Sequence, residues 1–251
     1  VVDGVELLAR RGDAPQEHGC YLMAPWAGRV RGNVVAAGSR EHALPPTYDG
    51  WAMHGTVLDR TWEVLAADDC EVALRTSLGP AWPWPGRAHV TWRLEDGALV
   101  SRLRVEALAG ASFPAVAGWH PWFRRRLDAG GDVAIEMAAS AVLERGPDHL
   151  PTGRRLDPAA VAGPFDDAFL VPDGRVRLTW PGALELTASS TAAWVVVFDE
   201  LPDEVCVEPQ TGPPDGLSGP GVEVVTPERP LEVVTTWRWR DAVRDRAEHL
   251  D

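Results

Sequence analysis

Proline and glycine limit the length of the structural elements that this chain can form. The 251 residues include 22 Pro and 24 Gly. They are spread through the sequence and separate segments of roughly five to ten residues. Because proline breaks the interior of a helix and glycine weakens it, long helices have no room here. The spacing therefore predicts many short strands joined by turns.

Seven segments have the composition of strands with one face in solvent. Their residues are β-branched or aromatic, and apolar and polar side chains partly alternate along them. These segments are Thr61 to Ala66, Cys70 to Thr76, Ala88 to Leu94, Leu99 to Ala107, Val133 to Met137, Arg175 to Trp180 and Leu184 to Ala188.

Four further stretches complete the predicted architecture. Ala193 to Phe198 is apolar at every position, which predicts a strand in the middle of a sheet, covered on both faces. Thr235 to Arg240 alternates, so one face packs and the other meets solvent. Gly212 to Gly221 is a loop rich in Pro, Gly and Ser, and only Ala242 to Leu250 has convincing helical character. Together these patterns predict one all-β domain over residues 1–251, a large antiparallel β-sandwich with long loops at its rim.

The charge balance excludes several classes of function. With 24 basic and 37 acidic residues the net charge is -13, so nucleic acid is not expected as a partner. Every basic residue is Arg. This excludes Schiff-base and pyridoxal-phosphate chemistry and a Walker phosphate loop, because each of them needs a Lys. No cofactor is expected.

Cysteine usage and hydropathy indicate the compartment. Cys20, Cys70 and Cys206 lie far apart without a C-x-x-C spacing, so we expect reduced thiols in a cytoplasmic protein and no bound metal. The longest apolar run, Ala193 to Phe198, is far shorter than the ~20 residues that a membrane helix needs. No charged-then-apolar leader opens the chain. A membrane is therefore not expected as a partner.

Two positions combine a titratable side chain with a restrained setting. His120 lies in a Gly-Trp-His-Pro-Trp-Phe motif, where the following proline forces an extended backbone and aromatic residues flank the imidazole. Glu208 ends an apolar strand, on the same face as Cys206, where a buried carboxylate is costly without a task or a partner. From the residues alone, His120 is either catalytic or a packed structural histidine. Glu208 is either functional or paired with an Arg at the rim.

Three weaker motifs accompany them. Arg29 closes a Pro-Trp-Ala-Gly-Arg motif, and His54 precedes a glycine shortly after a turn. Asp166 and Asp167 lie together between two phenylalanines. Each of these has a structural alternative, namely a solvated cation, a loop histidine and carboxylates that cap a neighbouring strand.

The order and spacing of the five motifs resemble the aldose 1-epimerase (galactose mutarotase-like) family. The series runs from Pro-x-x-x-Arg, through His-Gly with Trp62 shortly after it, to His-Pro-aromatic-Phe, an Asp between aromatics and a late Cys-x-Glu-Pro. The resemblance spans about Tyr21 to Arg240. It implies a β-supersandwich fold and interconversion of the α and β anomers of a free aldose such as glucose or galactose, without a cofactor. The expected partner is a monosaccharide, and the expected assembly is a monomer or a weak homodimer.

By that resemblance, Glu208 is the general base and His120 the general acid. Opening a hemiacetal requires one group to take the proton of the C1 hydroxyl while another gives a proton to the ring oxygen. A carboxylate and an imidazolium on opposite sides of a pocket satisfy this need. We therefore expect an ionised Glu208, an at least partly protonated His120 and a bell-shaped dependence of activity on pH, because each charge favours the other.

The resemblance also implies the residues that hold the sugar. Arg29, His54 and Asp166 are expected to bind its hydroxyls. Asp166 is preferred over Asp167 because it follows Phe165 as the family's Asp follows its aromatic residue. Tryptophans near the motifs are expected to cover the apolar face of the sugar. The tryptophans nearest in sequence are Trp26, Trp119 and Trp122.

The chain departs from the family at three points. Its first strands are expected to be missing or shortened, so part of one sheet is unaccounted for. Gly28 stands where an Asn is expected before the Arg, which removes one side-chain contact. His120 is followed by Pro-Trp-Phe, where many relatives have Tyr or Pro-Tyr. The preferred sugar is therefore open.

Three alternatives remain. The run Arg124 to Arg126, directly after the His120 motif, would either receive a phosphate, as in a hexose-6-phosphate 1-epimerase, or lie solvated on the surface. Glu208 and Asp166 are formally the two carboxylates of a glycoside hydrolase, although His120 would then have no role. The third alternative is a non-catalytic sugar-binding or regulatory protein of the same fold.

Overall fold

Short strands make up almost all of the regular structure. The computed structural model describes residues 1–2, 4–37, 40–127 and 130–241, so the predicted helical segment Ala242 to Leu250 lies outside the described residues. The first nine strands are β1 (Cys20–Met23), β2 (Val34–Ala37), β3 (Arg40–Ala43), β4 (Glu63–Ala67), β5 (Glu71–Ser77), β6 (Gly86–Glu95), β7 (Ala98–Ala107), β8 (Phe113–Ala115) and β9 (Gly118–Arg124). The other ten are β10 (Ala134–Met137), β11 (Ala141–Arg145), β12 (Pro151–Leu156), β13 (Asp166–Leu170), β14 (Arg175–Trp180), β15 (Leu184–Ser190), β16 (Trp194–Phe198), β17 (Glu204–Gln210), β18 (Glu223–Val225) and β19 (Leu231–Asp241).

The helical elements are short. Four 3-10 helices are found in the described part of the chain, at Pro15–Glu17, Arg31–Asn33, Pro158–Ala160 and Gly216–Ser218. Among these described elements, none has the length and apolar character that crossing a membrane would require.

Two large sheets carry the architecture. One has seven strands in the order β1-β9-β17-β16-β13-β11-β12, and the other has eight in the order β10-β14-β15-β19-β7-β6-β5-β4. Neighbouring strands within both sheets run antiparallel. The pairs β2–β3 and β8–β18 form two-stranded ribbons. The predicted all-β fold with antiparallel sheets is confirmed.

The positions of the predicted strands are confirmed as well. Each of the seven segments predicted to have one face in solvent overlaps a strand, and together they correspond to β4 to β7, β10, β14 and β15. Strand β4 differs from the prediction because all five of its residues are exposed. The apolar run Ala193 to Phe198 contains β16, which lies between β17 and β13 in the centre of the seven-stranded sheet. Thr235 to Arg240 lies within β19, and Gly212 to Gly221 is a loop with one 3-10 turn.

The seven-stranded sheet has one face that packs in the core and an opposite, outer face, because side chains alternate along its strands. On β17, Val205 and Val207 share an apolar cluster with residues of the eight-stranded sheet such as Leu178. Because successive side chains of a strand point to opposite faces, Glu208 projects from the outer face of its sheet. Loops at 24–30, 45–60 and 78–81 lie over that outer face. As a result β17 is buried at every position, and its outer face forms the floor of a covered site.

Candidate active site

A cavity of about 870 Å³ lies between the outer face of the seven-stranded sheet and the covering loops. This volume is in the range of small-molecule sites. Both residues suggested for catalysis line it, together with four of those suggested for substrate binding: Arg29, His54, His120, Trp122, Asp166 and Glu208. The fold therefore gathers residues from distant parts of the sequence around one space.

Strand register brings His120 beside Glu208. Strand β9 pairs with β17 so that Trp122 lies opposite Cys206. His120 comes two residues before Trp122 and Glu208 two residues after Cys206, so these two residues also lie side by side. The distance from His120 Nε2 to Glu208 Oε1 is 3.1 Å, and the two side chains are only 7% and 5% exposed. The two groups are thus in direct contact, whereas the sequence led us to expect them on opposite sides of a pocket.

Burial determines the protonation of this pair. Desolvation raises the pKa of Glu208 well above its ordinary value, and the nearby Asp166 carboxylate adds to the rise. Desolvation also lowers the pKa of His120 well below its ordinary value, and the neighbouring His54 adds to the fall. Both shifts favour neutral forms. They run against the ionised Glu208 and the partly protonated His120 that the sequence led us to expect, because lost hydration disfavours both charges.

His54 presents a neutral imidazole to the same cavity. Its Nδ1 accepts a hydrogen bond from the Gly28 N–H at 3.2 Å, so the ring proton is on Nε2. Burial, with the Arg29 guanidinium nearby, lowers the pKa of His54 to about 3. The ring is edge-on to His120, with centroids 5.0 Å apart. His54 is therefore a hydrogen-bond donor beside the pair, with no charge near neutral pH.

Gly28 has a structural reason to replace the expected Asn. Its φ is +71°, and a Cβ at this position would lie 2.8 Å from the Cβ of Pro214. Its carbonyl oxygen also accepts the backbone N–H of His54 at 3.1 Å. A larger residue would have to displace the loop at Pro214, and with it the backbone that holds His54.

Asp166 lies at the cavity and Asp167 does not. The Oδ2 of Asp166 is 3.7 Å from Arg29 Nη1, 3.2 Å from Arg145 Nη1 and 3.3 Å from His149 Nδ1. Asp167, by contrast, lies 3.6 Å from Arg145 Nε. The geometry therefore agrees with the preference for Asp166 as the carboxylate that faces a ligand.

Aromatic rings surround His120. Tyr21, its partner on β1, stacks on the imidazole with centroids 4.4 Å apart, and Trp122 lies at 4.9 Å. Trp26 also lines the cavity, but Trp119 does not. As the residue next to His120 on β9, Trp119 points to the opposite face of the sheet. The expectation that Trp119 covers a sugar in this site is therefore wrong.

Two further residues of the cavity were not found from the sequence. The Arg11 guanidinium lies 4.0 Å from the centroid of the Trp122 ring, and its Nε is 3.1 Å from Glu204 Oε2. Gln210 is 0% exposed, and both of its amide atoms lack a partner within the described chain. Its position two residues after Glu208 on one strand is a signal that could have identified it. Arg11 belongs to an irregular segment and carries no comparable signal.

The arginine run after the His120 motif does not serve the cavity. None of Arg124, Arg125 and Arg126 lines it. Arg125 donates to the backbone carbonyl oxygens of three residues, and Arg126 pairs with Asp132. The Nη1 of Arg124 donates to the carbonyl oxygen of Glu6 at 3.3 Å. Of the two alternatives for this run, receipt of a substrate phosphate in this cavity is therefore not supported.

One cluster of possible metal ligands was found among the described residues. Ligand atoms of His120, Cys206 and Glu208 lie within 4.8 Å of one another. The first and third of these residues contact each other at 3.1 Å. Burial raises the pKa of the Cys206 thiol well above its ordinary value, which disfavours the thiolate that binds metals. The arrangement suits proton transfer better than metal binding.

A family comparison identifies similar sequences. The model of the family described as aldose 1-epimerase matches residues 3–217. None of the curated proteins compared with this chain matches it.

Solved structures share the fold. A candidate aldose 1-epimerase from Escherichia coli K12 aligns with a TM-score of 0.80 at 19% identity, covering 93% of this chain and 89% of its own. An aldose epimerase homologue from C. elegans gives 0.78 at 14% identity, with coverages of 94% and 87%. Galactose 1-epimerase from Lactobacillus acidophilus NCFM gives 0.75 at 14% identity, with coverages of 96% and 87%. At these identities the likeness shows a common fold.

Proposed function

Because the chain belongs to the aldose 1-epimerase family, we propose that it interconverts the α and β anomers of an aldose such as glucose or galactose. The observation that carries this proposal is the buried 3.1 Å contact between His120 Nε2 and Glu208 Oε1. It provides an acid and a base at one point of a cavity that also presents His54, Arg29 and Asp166. Mutarotation needs no more than this, since nothing is oxidised and no bond to the enzyme forms.

A neutral pair supplies both an acid and a base if its bridging proton moves. Transfer of that proton from Glu208 to His120, across 3.1 Å, leaves a carboxylate and an imidazolium. The carboxylate accepts the proton of the C1 hydroxyl while the imidazolium gives a proton to the ring oxygen, and the hemiacetal opens. Both residues are then neutral again. Rotation about the C1–C2 bond and the reverse transfers close the ring on its other face.

The surrounding groups are suited to hold a sugar. The Nε2–H of His54 and the guanidinium of Arg29 are donors, and the Asp166 carboxylate is an acceptor. The rings of Tyr21 and Trp122, which flank His120, offer apolar surface to the C–H face of a pyranose. A site of this kind orients C1 and the ring oxygen toward the acid–base pair.

The glycoside hydrolase alternative fits this geometry less well. Hydrolysis needs two carboxylates that flank a glycosidic bond, one of them ready to protonate the leaving group. Here Glu208 contacts His120, and Asp166 is held by Arg29, Arg145 and His149. A non-catalytic sugar-binding protein would have no use for the buried acid–base pair.

Polarimetry of freshly dissolved α-D-glucose and α-D-galactose tests the proposal. We expect wild type to accelerate the approach to equilibrium, and His120→Asn to reduce the rate enhancement by about 10²–10⁴-fold. His89→Asn is the matched control, because His89 Nε2 is 2.9 Å from Glu106 Oε1 on the other sheet, away from the cavity. No acceleration of either sugar by wild type would contradict action on free hexoses. Sugar binding without acceleration would instead support the non-catalytic alternative.

A further inference from the structure

The two carboxylate oxygens of Asp166 have different surroundings. Oδ2 lies 3.2 Å from Arg145 Nη1, 3.3 Å from His149 Nδ1 and 3.7 Å from Arg29 Nη1. Within the described residues no hydrogen bond or ion pair reaches Oδ1, and this atom is not one of their enclosed unpartnered atoms. Asp166 lines the cavity, with its side chain 17% exposed. Oδ1 is therefore the oxygen left to accept a hydrogen bond from a ligand.

Arg145 acts on this carboxylate from outside the cavity. It does not line the cavity, although its guanidinium contacts Asp166, which does. Its Nη1 is also 3.3 Å from Glu200 Oε1, and its Nε is 3.6 Å from Asp167 Oδ1. Three carboxylates thus restrain this guanidinium. Arg145 can influence a ligand only through the groups that it holds.

His149 approaches the same oxygen from the turn between β11 and β12. Its φ is +61°, a conformation that residues other than glycine rarely adopt, and its ring lines the cavity. The Gly146 N–H donates to the Leu150 carbonyl oxygen at 2.8 Å and closes the turn. Strained backbone of this kind persists where its surroundings hold it, and it is common beside bound ligands. The turn therefore places a half-exposed imidazole beside Asp166.

Arg31 ties this turn to other parts of the cavity wall. Its Nη1 is 3.1 Å from Asp148 Oδ2, in the turn, and its Nε is 3.0 Å from Asp215 Oδ2, in the loop 212–221. Arg31 also follows Arg29 by two residues. The turn that carries His149 is thus connected to the segment that carries the third cation at Oδ2.

We propose that Arg145 and His149 are positioning residues, which hold Asp166 by Oδ2 and so leave Oδ1 to accept a hydroxyl of the sugar. The inference rests on the proposed function, because it takes the ligand to be an aldose. It assigns part of the affinity for the sugar to the hairpin of β11 and β12, away from the strands that carry His120 and Glu208. A carboxylate that is already held by charge-assisted contacts loses little freedom when a ligand binds. Loss of Arg145 should therefore weaken binding.

A double-mutant cycle on the binding of sugars that cannot mutarotate tests whether Arg145 acts through Asp166. Calorimetry would compare wild type, Asp166→Asn, Arg145→Gln and the double variant, with 1,5-anhydroglucitol and 1,5-anhydrogalactitol as ligands. We expect Asp166→Asn to weaken binding about 10- to 150-fold and Arg145→Gln to weaken it about 3- to 30-fold. In the Asp166→Asn background, Arg145→Gln should cost less than about twofold, because the carboxylate that it positions is gone.

Matched variants separate positioning from a general loss of structure. Arg145→Lys keeps the charge and should recover part of the affinity. His149→Asn should weaken binding only about 1.5- to 5-fold, because the ring is half-exposed. Arg154→Gln is the control and should bind as wild type does, because Arg154 lies on β12, pairs with Glu144 and does not line the cavity. Far-ultraviolet circular dichroism of each variant establishes that a loss of binding is not a loss of folding.

The outcomes separate this inference from the proposed function. Three results would overturn the positioning role even if glucose is epimerised: no binding of either anhydro sugar to wild type, an affinity of Arg145→Gln equal to that of wild type, or losses that multiply in the double variant. Binding that depends on Arg145 only when Asp166 is present, with no acceleration of glucose or galactose mutarotation by wild type, would retain the inference and overturn the epimerase.

Discussion

Two histidine–glutamate pairs in this molecule have nearly the same N···O distance and different surroundings. The Nε2 to Oε1 distance is 3.1 Å between His120 and Glu208 and 2.9 Å between His89 and Glu106. The side chains of the first pair are 7% and 5% exposed, and those of the second are 27% and 21% exposed. The first pair lines the cavity, whereas the second lies on the solvent side of the eight-stranded sheet, where Arg104 also contacts Glu106.

A hydrogen bond between an imidazole and a carboxylate does not by itself make a reactive site. At the surface, both groups stay partly hydrated whether or not they contact each other, so their contact contributes little to the free energy of unfolding. In the cavity, desolvation raises the pKa of Glu208 and lowers that of His120, so both groups are favoured in their neutral forms at a point that a ligand can reach. The two pairs therefore differ in their surroundings more than in the distance between their atoms.

The largest difference between the two pairs should appear in activity. Glu208→Gln keeps the shape of the side chain and removes the base, so we expect kcat/KM for mutarotation to fall by about 10²–10⁴-fold. Glu106→Gln makes the same change in the exposed pair and should leave kcat/KM within about twofold of wild type. Polarimetry of both variants provides the measurement. Equal effects of the two substitutions would remove the distinction between the pairs.

A smaller effect is expected from a substitution at Gly28, whose backbone holds the His54 ring beside His120 and Glu208. Gly28→Asn would place a side chain against Pro214, so we expect the free energy of unfolding to fall by about 1–3 kcal/mol. Gly32→Asn is the control, since Gly32 has a similar φ of +65° and a Cβ added there would have no atom of the described chain within 4 Å. Urea denaturation of both variants separates the contact from the backbone strain that they share. Equal destabilisation would mean that Pro214 is not the obstacle.

The buried setting should also affect stability as the pH falls. The pKa of His54 is about 3 in the folded protein, against an ordinary value of 6.5. Below pH 6.5 the unfolded chain therefore binds a proton that the folded chain does not bind, and stability is lost until the pH reaches about 3. In His54→Asn, whose amide oxygen can accept from Gly28, this loss should be smaller by about 1.4 kcal/mol between pH 6 and pH 5. Urea denaturation at the two pH values is the measurement, and parallel curves for variant and wild type would contradict it.

The smallest effect is expected from the exposed pair. Because its side chains remain partly hydrated, Glu106→Gln should change the free energy of unfolding by about 0.2–1 kcal/mol. Chemical denaturation measures this change. A loss several times larger would show that the outer face of the eight-stranded sheet depends on this pair, and exposure would then not explain how the two pairs differ.

Much of the fold could be predicted from local patterns. The apolar run of β16 identified a central strand because a strand covered on both faces needs apolar side chains at both parities. Strands β11 and β12 were missed, since their sequences alternate weakly and include Gly153 and a proline at the start of β12. Local patterns also could not predict the order of the strands in the two sheets, because that order depends on contacts between distant segments.

The sequence predicted the residues of the candidate site better than it predicted the contacts between them. Motif order pointed to His120 and Glu208, and both lie at the cavity. The direct bond between them depends on the register of β9 and β17, which no local pattern specifies. The sequence likewise left the role of Arg125 open, because its backbone partners are set by tertiary structure.

In the proposed reaction, His120 and Glu208 act as one proton-transferring unit. A cycle of wild type, His120→Asn, Glu208→Gln and the double variant, with kcat/KM for mutarotation measured in each, tests this coupling most directly. Since loss of either member ends the transfer, we predict that the double variant is no slower than the slower single variant. If the two losses instead multiplied, the residues would act independently, and the single unit would be contradicted.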